Sequence, residues 1–221
     1  MLQRNATNSG ATPIVETPSI WETTASALRA LIDRNTPGEP ERQAVARELR
    51  SLHHHLRQTT PGYQGALEDA LAPESRPPAV GWSWKVLADN PAVRGGLLGI
   101  YAGRPIPAHD HPGSRGALLV LTGKLRVTWF AIQRQMPGDL TELRRVAQQD
   151  CRAGETALID AGERNIHHVV ALTERCFTLN LLLSPFAEPE RSWYLPIIDT
   201  EPDVMIVRRL PRKAPLRATV Q

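Results

Sequence analysis

Gly103-Arg-Pro-Ile-Pro-Ala-His109-Asp-His111-Pro-Gly-Ser-Arg-Gly116-Ala-Leu-Leu-Val-Leu-Thr-Gly123 decides the reading of this chain. Alternate residues of an extended strand point to the same side, so His109 and His111 aim two imidazoles into one cavity. Two nitrogen donors on one rigid strand are half of a metal site. Asp110, between them, points to the opposite face and is not expected to ligate. Pro105, Pro107 and Pro112 stiffen the approach by fixing φ. Gly116 stands where a carboxylate ligand would complete a mixed donor set. The pattern therefore predicts a non-haem iron centre with neutral ligands, suited to an anionic thiolate and to dioxygen.

A third histidine is needed, and Gly162-Glu-Arg-Asn-Ile-His167-His168-Val-Val170 supplies it from a turn leading into a strand. His167 and His168 alternate in direction, so only one of them can share the cavity. Alternation alone leaves both open. The triplet His53, His54 and His55 is different in kind. Neighbouring residues on a helix diverge, so the three cannot bind one ion; placement near a negative helix end suits them better.

The rest of the chain bounds the class. Its 221 residues suffice for one core with an appendage. The hydrophobic fraction of 41% and charged fraction of 22% are ordinary for a globular protein. A net charge of +3 is too small for a nucleic-acid surface, and the basic cluster Arg208, Arg209, Arg212, Lys213 and Arg217 reads as a solvated tail. No nucleic acid and no membrane partner is expected, since no apolar run approaches the roughly 20 residues of a bilayer span. The polar start, Met1 to Ser19, does not read as a secretory signal, so a cytoplasmic location is expected. Two cysteines, Cys151 and Cys176, make no disulfide framework and read as buried or half-buried thiols.

Hydrophobic spacing predicts helices over 21–35 (Trp21, Leu28, Leu31, Ile32) and 41–58 (Val45, Leu49, Leu52), with a short piece over 65–71. From Val80 onward short apolar or alternating runs appear between Gly, Pro and Asp: 83–87, 96–101, 117–121, 125–132, 143–148, 155–159, 168–172, 177–183 and 204–208. Their spacing is that of an all-β sandwich or barrel, without room for parallel crossovers. The predicted organisation is a loose N-terminus over 1–20, a helical arm over 21–78, a barrel over 79–207 and a basic tail over 208–221.

The quoted segment resembles the first motif of the cupin superfamily: Gly103, His109, His111 and Gly123 fall in register, with Gly116 in the usual Glu slot. Gly154 and Gly162 resemble the second motif's glycines, with its histidine two residues late. Loss of the Glu resembles the thiol dioxygenase branch, whose iron is held by three histidines. Ile106-Pro-Ala-His109-Asp-His111-Pro-Gly113 resembles plant cysteine oxidases and cysteamine dioxygenase. Asn165-Ile-His167 and Leu179-Asn-Leu-Leu-Leu-Ser-Pro-Phe186 resemble their second half. The resemblance covers about residues 80–200. It implies a mainly β, jelly-roll-like cupin barrel, Fe(II) on His109, His111 and His167, and oxidation of a small thiol or an N-terminal cysteine by dioxygen to a sulfinate. It implies Tyr194 as a catalytic pocket residue, and Lys85, Arg94 and Arg104 as candidates for a substrate carboxylate.

There are departures. Ser114 replaces a usual Met and Asn180 a usual Asp. The Ser-His-Tyr triad of mammalian-type cysteine dioxygenase would fall near Leu179, Leu181 and Leu183 and is absent, and the Cys of its Cys–Tyr crosslink falls at Gly116. Free cysteine is therefore a poor expectation as substrate. Two rival readings stay open at the level of sequence: a cupin oxygenase cleaving carbon–carbon bonds, and a non-enzymatic cupin binding module. Fold analogy alone adds a homodimer to the expected partners.

Overall fold

The computed structural model describes residues 19–32, 39–71, 81–159, 162, 165–186, 191–201 and 203–211. Among the described residues three helices come first: α1 (Ile20–Ile32), α2 (Glu39–Thr59) and α3 (Tyr63–Leu71). Ser19 starts α1 with a capping box. Its Oγ accepts the Glu22 N–H at 3.3 Å, and Glu22 Oε2 accepts the Ser19 N–H at 2.9 Å. The loose N-terminus expected over 1–20 otherwise lies outside the described residues.

Eleven strands follow among the described residues: β1 (Trp82–Asp89), β2 (Val93–Tyr101), β3 (Ile106–His109), β4 (Arg115–Thr122), β5 (Lys124–Met136), β6 (Leu140–Arg152), β7 (Thr156–Ile159), β8 (Ile166–Ala171), β9 (Arg175–Leu183), β10 (Ser192–Glu201) and β11 (Val204–Pro211). One sheet has the order β1-β2-β9-β4-β7, and the other closes on itself as β10-β11-β6-β5-β8-β3. All pairings are antiparallel, as expected for a mainly β barrel with helices before it.

The continuous apolar runs of β2, β4 and β9 follow from burial on both faces. Ala117, Leu119, Leu179 and Leu181 pack outward against Leu28, Leu49 and Leu52 of the helices. Leu118 and Val120 pack inward against Val127, Trp129 and Trp193 of the second sheet. The closed sheet has a further small core of its own, formed by Ala108, Phe130, Leu143, Ile166, Tyr194 and Val207. Alternate residues of β3, β5, β8 and β10 thus serve two different interiors.

Two expectations need correction. β10 is absent from the strands expected between 177–183 and 204–208; it contains Pro196, and its register shifts between Pro196 and Ile198, where a bulge accommodates the proline. The basic tail does not begin at Arg208. Arg208 and Arg209 belong to β11, which pairs Arg208 with Leu195 and Arg209 with Tyr194. Arg212, Lys213 and Arg217 lie outside the described residues.

Candidate metal centre

β3 delivers His109, the turn after it delivers His111, and β8 delivers His167. Register does the rest: His109 pairs with His167 across β3–β8 and with Trp193 across β3–β10, while His167 pairs with Trp129 across β5–β8. Cross-strand partners share a face, so these side chains all point toward the five-stranded sheet. The three imidazoles offer ligand atoms within 4.8 Å of one another, and among the described residues this is the one group of His, Cys, Asp or Glu so arranged. His109, His111 and His167 are 5%, 7% and 3% exposed.

His109 Nδ1 lies 2.9 Å from the carbonyl of Pro107, and His167 Nδ1 lies 2.8 Å from that of Asn165. Each Nδ1–H thereby has a backbone acceptor, which fixes the tautomer and leaves Nε2 unprotonated, the form that binds a cation. Asn165 also grips the other ligand segment. Its Oδ1 accepts the His111 N–H at 2.5 Å and its Nδ2 donates to the His111 carbonyl at 2.9 Å.

Electrostatics favour the neutral rings. Burial pushes His167 down to about 4. Burial also holds His109 well below the usual imidazole range, helped by His167 and Arg191. His111 is lowered likewise, by burial and then by Arg191. At neutral pH the cluster is three uncharged donors with no carboxylate among them. That donor set suits a divalent transition ion and leaves the ion's full charge uncompensated. The residues therefore fit the metal that the sequence implies.

His168, the alternative third ligand, points away from the cluster by alternation and pairs with Thr128. Gly116 shows why no Glu occupies its position: a Cβ there would sit 2.2 Å from the Leu181 carbonyl of the neighbouring strand. The glycine is required by close backbone approach. The His53 to His55 run lies within α2, where His53 Nδ1 meets the Tyr63 hydroxyl at 2.7 Å.

The structure does not bring the remaining candidates to the histidines. Tyr194 is 1% exposed and faces the small core of the closed sheet; its hydroxyl donates to Asp110 Oδ2 at 2.9 Å. The residue beside it, Trp193, takes the histidine side, 5.1 Å from the His109 ring. Lys85 is exposed on β1, and Arg104 is exposed beside Gly81. Arg94 pairs with Asp89 at 3.2 Å and lies over the Phe186 ring.

The cation at the site is one the sequence reading missed. Arg191 Nη2 lies 3.5 Å from His111 Nδ1, and its guanidinium lies over the Trp193 ring at 5.2 Å. Burial pushes it down to about 10, which leaves it charged at neutral pH. Only the recognition of β10 would have revealed Arg191 and Trp193 as same-side neighbours. Asp110 does not ligate: Oδ1 accepts the Ser192 N–H at 2.6 Å, which anchors β10 to the histidine segment.

The model of the PCO_ADO family, the cysteine and cysteamine dioxygenases of the cupin superfamily, matches residues 87–196. A search of curated proteins found no match. Among solved structures, a double-stranded β-helix protein from Klebsiella pneumoniae is 17% identical over 51% of this chain and 87% of its own, with a TM-score of 0.38. KdgF from a Halomonas species is 16% identical over 49% and 83%, with a TM-score of 0.37. A cupin-2 domain protein from Shewanella frigidimarina is 17% identical over 57% and 96%, with a TM-score of 0.37.

Proposed function

Since this chain belongs to the PCO_ADO family of the cupin superfamily through residues 87–196, we propose that it is an iron(II)-dependent thiol dioxygenase. Both atoms of one dioxygen molecule would end on one thiol sulfur, giving a sulfinate and needing no external reductant. The observation that carries this reading is the buried all-histidine cluster of His109, His111 and His167. Iron(II) held there would supply the redox chemistry that joins dioxygen to a thiolate.

The chain's own residues supply binding and orientation. Neutral ligands keep the positive charge of the site high, which stabilises a substrate thiolate over its thiol. The Arg191 guanidinium adds a second positive charge beside His111. Trp193 packs beside His109 and walls the site with an apolar surface. The near-complete burial of the three rings keeps bulk water away from them. The substrate is a small thiol or an N-terminal cysteine.

The test is metal analysis of the purified protein, then oxygen uptake with cysteine, cysteamine, 3-mercaptopropionate and a Cys-initiated peptide. Uptake should occur with at least one thiol, with product mass showing two added oxygen atoms. Iron-loaded protein that consumes no oxygen with any of them sinks the reading.

A further inference from the structure

The two segments that carry the histidines have a second side. Asp110 and Pro112 alternate with His109 and His111, and Asn165 and Ile166 precede His167. These four residues line a cleft of about 510 Å³ that none of the histidines lines. The cleft lies over the small core of the closed sheet, back to back with the candidate metal centre. Its volume falls within the roughly 300–1,000 Å³ of small-molecule sites.

One wall is apolar. Phe130, Ile132 and Ile166 line it, and Ile132 is 42% exposed. The opposite corner is polar and largely satisfied. Asp110 faces the cleft, but Oδ1 is engaged by the Ser192 N–H and Oδ2 by the Tyr194 hydroxyl. Arg209 is the exception. Its Nε donates to Ser192 Oγ at 3.2 Å, and among the described residues its guanidinium enters no ion pair. Among the described residues no acceptor takes its terminal N–H groups, whose fork matches a carboxylate.

We propose that this cleft is a second binding site, for a small carboxylate with an apolar body. The carboxylate meets Arg209 and the body covers Phe130, Ile132 and Ile166. An occupant there lies against Asn165, the residue that grips His111.

Octanoate is the probe, measured by calorimetry on the full chain kept metal-free with a chelator, so that iron cannot bind the carboxylate. The result is then independent of whether the protein oxidises thiols. Saturable one-to-one binding is expected, with the neutral analogue octanol at least about tenfold weaker, the value of one charge-assisted hydrogen bond. Arg209→Gln should weaken octanoate to the level of octanol, Arg209→Lys should retain part of the difference, and His109→Ala should leave binding unchanged. Thermal unfolding of each variant shows that it is folded. No saturable binding, equal binding by Arg209→Gln, or loss of binding in His109→Ala overturns the proposal.

Discussion

Asn165 holds His111 by both ends of its backbone, accepting its N–H at 2.5 Å and donating to its carbonyl at 2.9 Å. A side-chain amide here imitates a strand partner. The same residue's own carbonyl lies 2.8 Å from His167 Nδ1. One residue thus ties two histidines of the cluster that are far apart in the chain, and it does so in a buried setting where unmade hydrogen bonds are costly.

Asn165→Ala is expected to lower metal affinity by about 10–100-fold, the usual cost of losing a group that orients ligands. It should also cost about 1–3 kcal/mol of stability by leaving the His111 peptide unpaired. Metal titration against a competing chelator and thermal unfolding check both. Unchanged metal affinity would mean that the clamp does not position the ligand.

His167 and His168 separate cleanly by experiment. His109→Ala, His111→Ala and His167→Ala should each leave purified protein without stoichiometric metal, whereas His168→Ala should keep the parent content. Elemental analysis decides it, and metal loss in His168→Ala with retention in His167→Ala would reverse the assignment.

Tyr194 and Arg191 have distinct expected phenotypes. Tyr194→Phe removes one donor from buried Asp110 and should cost about 1–3 kcal/mol of stability, with thiol affinity little changed. Arg191→Gln should do the reverse, weakening anaerobic thiol binding by about tenfold while stability is largely kept. Unfolding curves and anaerobic titrations read the two effects separately.

Cys151 and Cys176 are both buried, and burial pushes each thiol up to about 12. A raised pKa means the protonated thiol persists, so at pH 8 the thiolate fraction is on the order of one in ten thousand. Neither should react with a thiol-specific chromogenic disulfide in the folded protein, and both should react on denaturation. Since the unfolded thiols ionise at lower pH than the folded ones, this pair makes stability fall as pH rises past about 8.5. Rapid labelling of the native protein would contradict the burial.

The helices should not be dispensable. Leu49 is fully buried between α2 and the outer face of the five-stranded sheet. Leu49→Ala is expected to cost about 2–5 kcal/mol, measured by denaturant unfolding. A negligible cost would show that the helices merely rest on the sheet.

The local pattern of the sequence settled much of this protein. Strand alternation placed His109 and His111 on one side and Asp110 on the other, and spacing marked the helices and most strands. Those features depend on periods of two and 3.6 residues, which any short window contains. The tertiary structure decided what depends on register and closure. The pairing of β10 with β3 set Trp193 opposite His109 and turned Tyr194 into the small core. It also brought Arg191 beside His111, a contact across 80 residues. The close approach of β9 to Gly116 excluded a side chain where only the absence of one was visible in the sequence. A one-residue shift in register would exchange these faces, and register is chosen by which apolar surfaces meet across the whole fold.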